Sequence, residues 1–174
     1  MPVDPIVISD IQSDIERIER ILGTYIFYLE NRKHPLRFAA FTELMVCLND
    51  LLQKAKDLGV PVSFDDDVQQ NIKTKGGATP NITDLVNALR NAICHISSPL
   101  NLIPNEIGAT IKQVFFVGYG KFEPVFYVRD KPVGQSSKYE DEITIAYGDI
   151  QIYYFRHIHR AYKEAKENLL PFLP

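Results

Sequence analysis

Asn81-Ile82-Thr83-Asp84-Leu85-Val86-Asn87-Ala88-Leu89-Arg90-Asn91-Ala92-Ile93-Cys94-His95-Ile96 is the stretch whose reading decides the fold. At about 100° per residue, Ile82, Leu85, Val86, Leu89, Ile93 and Ile96 fall within one apolar arc. The opposite arc carries Asp84, Asn87, Asn91 and His95, and Arg90 stands at the border between the two. This pattern predicts an amphipathic helix that buries one face against other helices and keeps a polar stripe on the other. Asn91 and His95 fall one turn apart on that stripe. Arg90, five residues before His95, is offset from it, but its long side chain can curl toward the same end.

A helix of this kind needs partners, and the flanking sequence supplies them. From Ser9 to about Lys33 the positions Ile11, Ile15, Ile18, Leu22, Tyr25 and Leu29 repeat in steps of four and three, predicting one long helix ended by His34-Pro35. A second runs from Arg37 to Leu58, with Phe41, Leu44, Met45, Leu48, Leu51, Leu52 and Ala55 on one side and Gly59 and Pro61 as stop signals. A short helix is expected from Phe64 to Ile72, with Asp65, Asp66 and Asp67 in its first turn, where carboxylates suit the positive end of the dipole. As metal ligands these three are a poor set, because consecutive residues point in different directions. Lys73 to Pro80 reads as a loop, Ser98-Pro99 as the end of the quoted helix, and Pro104 as a mark of irregular chain.

Beyond Lys112 the pattern changes. Val114–Tyr119, Val125–Arg129 and Ile143–Tyr147 are short runs rich in β-branched and aromatic residues, punctuated by Gly118, Gly120, Pro124 and the stretch Pro132–Ser137, which predicts an antiparallel β-meander. Gly148-Asp149 reads as the turn leaving it. A last helix is expected over about Gln151–Leu169 through Ile152, Phe155, Ile158, Ala161, Tyr162 and Ala165. The expectation is thus a mainly α chain, one domain over residues 1–174, with a β insertion at about 112–148.

Composition narrows the function classes. The chain has 174 residues, a formal charge of −3, 45% hydrophobic and 24% charged residues and two cysteines, Cys47 and Cys94. These values suit one globular domain and exclude a disordered or collagen-like chain. The cysteines lack C-x-x-C spacing, arguing against a disulfide framework or a zinc knuckle. The N-terminus carries no signal-peptide pattern, and no apolar run reaches membrane-spanning length, so a cytoplasmic protein is expected. Mild acidity disfavours nonspecific coating of nucleic acid, which depends on Lys and Arg neutralising phosphates, but leaves room for a small, locally charged site.

Arg90, Asn91 and His95 suit phosphodiester chemistry. An imidazole takes and returns protons near neutrality. A guanidinium fork matches two phosphate oxygens, and RNA brings its own nucleophile, the 2′-hydroxyl. The plainer reading of the same spacing is a solvated polar face with a surface Arg and a packed His. Elsewhere, His157 and His159 are two residues apart and face different directions, a poor metal pair. Arg156, His157, Arg160 and Lys163 read as a solvated face before a basic groove. Cys94 points about 100° away from His95 and reads as a small buried hydrophobe rather than a nucleophile. Phe115, Phe116, Tyr119, Phe126 and Tyr127 lack interleaved cations and read as packing before base stacking. Gly118-Tyr119-Gly120 is no phosphate loop, since no Lys-Ser/Thr follows.

The string Leu89-Arg90-Asn91-Ala92-Ile93-Cys94-His95 closely resembles the signature of the HEPN superfamily, an arginine with a polar residue directly after it and a histidine after four intervening residues. Asp141–Asp149, running into Tyr154-Phe155-Arg156-His157-Ile158, also resembles a plasmid-borne HEPN subgroup with a β-hairpin insert. The resemblance implies a four-helix up-and-down bundle, a homodimer that brings two motifs into one cleft, and RNA cleavage without metal or cofactor by Arg90, Asn91 and His95. It further implies a toxin or phage- and plasmid-defence role, with RNA, a second copy and an antitoxin protein as partners. Scaffold members that have lost activity and bind a nucleotide, RNA or a protein are the alternative. Some toxin members carry a Tyr two residues after the His as the target of a partner nucleotidyltransferase; Ser97 stands there in this chain, which puts such control in doubt.

Overall fold

The computed structural model describes residues 3–74, 77–95, 102–103, 111–112, 115–123, 126–128, 131–133 and 135–174. Helix α1 spans Pro5–Gly23, α2 Arg37–Asp57 and α3 Ile82–Cys94. Short strands β1 (Leu102–Ile103) and β2 (Ile111–Lys112) pair with each other. Strand β3 is Phe116–Tyr119; β4 (Phe126–Val128) and β5 (Lys131–Val133) form a second hairpin; β6 is Ile143–Tyr147 and β7 Ile150–Tyr153. The chain closes on a π-helical segment, Tyr154–His159, that runs into α4, Arg160–Leu169. The fold is therefore mainly α, four helices with a small three-stranded antiparallel sheet of order β3-β6-β7 before the last helix.

Helix α2 lies at the centre and packs against α1, α3 and α4. Its Phe41, Leu44, Met45, Leu48, Leu51 and Leu52 are each 0% exposed, and a fully buried side chain of this size contributes roughly 1.5–3 kcal/mol. The sheet covers the start of α2, where Phe38 stacks on Tyr147 at 5.6 Å between ring centroids and Phe115 meets both Phe38 and Phe41. All five residues of β6 are buried, and β6 and β7 also touch α3. The helix with the Arg/His string is thus held between α2 and the sheet.

Several sequence expectations are corrected. Helix α1 stops at Gly23 rather than near Lys33, because Tyr25 takes a left-handed conformation (φ 52°) that breaks the helical path, leaving a turn and a 3-10 segment at Leu29–Asn31. Residues Phe64–Ile72 form turns rather than a helix; Asp67 is left-handed (φ 59°), and the aspartates serve cross-chain contacts, Asp66 to Arg160 and Asp67 to Lys138 and Tyr139. Ile150–Tyr153 is a strand, so the last helix begins at Tyr154. Gly148-Asp149 is the two-residue turn joining β6 to β7, with Gly148 at φ 59°, where only glycine is unstrained. Finally, among the described residues the three predicted β runs do not share one meander: Phe126–Val128 pairs in its own hairpin, while β3 and β7 flank β6. The expected stop at Ser98-Pro99 and irregular chain after Pro104 lie outside the described residues.

The start of the last helix is capped from the sheet. Glu142, 2% exposed, accepts from the N–H groups of Ile143 (2.8 Å) and Phe155 (2.9 Å) through Oε1 and of Arg156 (3.1 Å) through Oε2. One turn on, His157 is 1% exposed; its Nδ1 accepts from the Tyr153 N–H and its Nε2 stands 2.9 Å from the Asp66 carbonyl. An Nδ1 that accepts leaves Nε2 to carry the proton, so this is the neutral Nε2–H form. Burial is the main cause that holds His157 below the ordinary imidazole range, opposed in part by the Asp66 carbonyl. A histidine depressed in the folded state stabilises it above its unfolded pKa, about 6.5, and that stability is lost as pH falls below this value. Urea unfolding from pH 7.5 to 5 is expected to show a midpoint that drops below about pH 6.5, with His157→Gln flattening that drop at the cost of lower stability at pH 7.5.

Candidate functional site

Helix α3 begins with a reciprocal cap. The Asn81 side chain accepts from the Asp84 N–H and Asp84 accepts from the Asn81 N–H, each at 3.1 Å. Asp84 is thereby turned back to the helix start and away from Arg90. Ile82, Leu85, Val86, Leu89 and Ile93 are buried, which is the predicted apolar arc up to the limit of the described residues at His95, and Ala92 is buried with them. The helix ends two residues before Ile96: Cys94 is its last residue and His95 caps it, extended at φ −122° and ψ 95°, with its N–H still donating to the Asn91 carbonyl at 3.1 Å.

Two of the three candidate residues bond each other near this end, and His95 follows one turn after Asn91. Arg90 Nη1 donates to Asn91 Oδ1 at 3.0 Å, and Asn91 Nδ2 donates to Asn87 Oδ1 at 3.4 Å. Arg90 and Asn91 are half-buried and His95 is exposed. Among the described residues no carboxylate lies within ion-pair distance of Arg90. Because Asn91 accepts from Arg90 with its side-chain carbonyl, the carboxamide fixes one edge of the guanidinium. Cys94 is exposed, correcting the expectation of a buried hydrophobe, whereas Cys47 is buried.

The other weighed residues are spread apart. Arg156 lies over the Tyr139 ring at 3.7 Å beside Asp141 and Glu142. Arg160 lies over Phe64 and pairs with Asp66 and Glu164. His157 is inside the fold, so these residues make no common basic groove. His159 meets Tyr154 edge to face, and its Nε2 is buried with no partner among the described residues. Of the aromatic cluster, Phe115 packs on α2, Phe116 on Phe122, and the Tyr119 hydroxyl bonds Arg37 and the Tyr28 carbonyl; the side chains of Phe126 and Tyr127 lie outside the described residues. Among the described residues no three His, Cys, Asp or Glu side chains are grouped to hold a metal, and no helix is long and apolar enough to cross a membrane. A cavity of about 460 Å³ between the end of α1 and the start of α2, walled by Ile21, Ile26 and Leu36 with His34 and Glu43, contains none of the three candidates.

The sequence reading missed a charged group on the α1–α2 side. Lys54 Nζ lies 2.9 Å from Asp14 and 2.5 Å from Asp50, with Asp14 only 7% exposed. One signal was available: Asp14 sits three residues after Ile11 and four before Ile18, on the apolar stripe of α1, where a carboxylate must find a partner. Comparison with protein-family models, with curated proteins and with solved structures finds no match, so the chemistry of these residues alone carries a functional reading.

Proposed function

We propose that this protein is a metal-independent endoribonuclease of the HEPN type that works as a homodimer in the cytoplasm, in a toxin or phage- and plasmid-defence setting with an antitoxin as its regulator. The observation that carries the reading is the hydrogen bond that holds Arg90 on Asn91, one turn before the exposed His95. A four-helix bundle of the HEPN kind is the arrangement in which this site would be paired with that of a second chain.

His95 takes the proton of the RNA 2′-hydroxyl as its oxygen attacks phosphorus. The bond from phosphorus to the 5′-oxygen breaks, leaving a 2′,3′-cyclic phosphate on one product. The departing 5′-oxygen receives a proton from the partner's His95, on the opposite side of phosphorus. Arg90 stabilises the charge that grows on the phosphoryl oxygens, and Asn91 keeps it aimed. With the nucleophile supplied by the substrate, an acid, a base and a fixed cation suffice.

Purified protein incubated with RNA in excess EDTA is expected to cleave it, to leave 2′,3′-cyclic phosphate ends by mass spectrometry, and to elute as a dimer in gel filtration. Intact RNA under these conditions, together with RNA binding, would instead establish the non-catalytic scaffold reading.

A further inference from the structure

The left-handed Tyr25 ends α1 abruptly, a conformation that costs a non-glycine residue free energy. The chain leaves the helix there and enters α2 only at Arg37, and the cavity of about 460 Å³ opens between the two helices. That volume lies within the usual range for a small-molecule site, about 300–1,000 Å³. Ile21, Ile26 and Leu36 give it apolar walls, and Ala39 and Ala40 on the first turn of α2 project only a methyl group each. Leu36 is 60% exposed, apolar surface that a ligand would take out of water.

Three polar side chains line the same cavity, each held by one atom, with a second polar atom uncommitted among the described residues. Asn31 Nδ2 donates to the Tyr25 carbonyl at 3.0 Å, which leaves Asn31 Oδ1 as an acceptor. His34 Nδ1 accepts from the Leu36 N–H at 3.2 Å, so Nε2 carries the proton and is a donor. Arg17 reaches Glu43 with Nε and Nη2, both at 3.0 Å and both on Oε1, so Oε2 is left as an acceptor. The Thr24 hydroxyl, also on the wall, is spent within the turn: it donates to the Ile21 carbonyl and accepts from the Ile26 N–H. Asn31 and His34 stand one turn apart, joined by the bond from the His34 N–H to the Asn31 carbonyl at 2.9 Å. Leu36, Ala40 and Glu43 follow the helical spacing along one side of α2.

We propose that this cavity is a binding site for a guanine base. Its polar lining offers one donor and two acceptors, each fixed by a bond within the protein before any ligand arrives. The complement is an edge with one acceptor and two donors. Guanine presents that edge, O6 beside N1–H and the N2 amine. Adenine presents one donor and one acceptor, and uracil and cytosine one donor and two acceptors each. His34 Nε2–H serves O6, Glu43 Oε2 and Asn31 Oδ1 serve the two donors, and the apolar walls take the faces of the ring. The base comes from an RNA strand or from a free guanine nucleotide, since both present the same edge. The cavity contains none of Arg90, Asn91 and His95, so binding there goes beyond the ribonuclease reading and does not rest on it.

Calorimetric titration of the full chain with guanosine 5′-monophosphate is expected to show one site per chain. Inosine 5′-monophosphate, which lacks the N2 amine, is expected to bind about tenfold weaker, the scale of one hydrogen bond to a charged acceptor, and the adenine, cytosine and uracil mononucleotides about a hundredfold weaker. Glu43→Gln removes the carboxylate at an exposed ion pair whose loss costs the fold little. Ala39→Leu fills the cavity from an exposed position on α2 and leaves all three polar groups in place. Each variant is expected to weaken guanosine monophosphate about tenfold or more, with thermal melts to confirm folding. Absence of binding, equal affinity for all four bases, or guanine binding that both variants leave unchanged overturns the proposal. A trinucleotide with one guanine that binds tighter than the mononucleotide sustains it and identifies RNA as the source; one that binds no tighter identifies a free nucleotide. Guanine binding in a protein that cuts no RNA sustains the site and removes the ribonuclease reading instead.

Discussion

His95→Ala is expected to reduce chelator-resistant RNA cleavage by about a thousandfold or more, the scale of losing a general acid–base group and at the upper end because each chain loses it at once. The argument is stoichiometric. In-line cleavage needs a base on one side of phosphorus and an acid on the other, and the candidate site holds one histidine per chain. If the partner's His95 is the acid, a mixed dimer with one alanine loses nearly as much as the double variant, since either half of the reaction then lacks its proton carrier. Single-turnover rates of wild-type, mixed and doubly substituted dimers decide this; a mixed dimer with half the wild-type rate would show two independent sites. Arg90→Lys tests the other half of the site. It keeps the charge and loses the planar fork, so a loss of about tenfold to a hundredfold is expected in kcat with little change in KM. The pH profile of the wild type should be bell-shaped, with the acid limb reporting the base and the alkaline limb the acid.

Glu142→Ala is expected to lower stability by about 3 kcal/mol, the largest structural effect of a single polar substitution proposed for this fold. Its carboxylate is almost fully buried and accepts from the backbone N–H groups of Ile143, Phe155 and Arg156. Two of these open the last helix, whose first N–H groups have no partners within the helix itself. Charge-assisted bonds of this kind are about twice as strong as neutral ones, and each buried N–H left without an acceptor costs roughly 1–3 kcal/mol. Some of that is recovered by water, because Phe155 and Arg156 are exposed. Glu142→Gln keeps one acceptor but turns an amide toward the N–H groups, so it should fall between alanine and wild type. For a chain of this length about 3 kcal/mol corresponds to roughly 6–12 °C in the thermal midpoint. Melts at pH 7.5 followed by circular dichroism check it; a shift under about 2 °C would mean that water replaces the carboxylate at little cost.

Helices α2 and α3 were legible because their apolar residues recur with the helical period over enough turns to settle both the element and the buried face. Leu85, Val86, Leu89 and Ile93 point inward as their spacing required, and the polar side of α3 carries Asn87, Asn91 and Arg90. The misread segments share a different cause. Ile150–Tyr153 has an apolar pattern compatible with the following helix, and only pairing with β6 makes it a strand. Phe64–Ile72 has a helical spacing that loses to contacts made by Asp66 and Asp67 with residues some seventy to ninety positions away. In each case a distant partner outweighed a weak local preference.

The sequence by itself determined which faces are apolar, where Arg90 and Asn91 stand on their helix, and the mainly α class, because helical periodicity is a local property that side-chain hydrophobicity records directly. Only the tertiary structure decided that α2 is the central helix, that Glu142 caps a helix beginning twelve residues later, and that Asp14 and Asp50 gather on Lys54. Those are pairings between residues far apart in the chain, and the energy of such a pairing depends on the burial that folding creates.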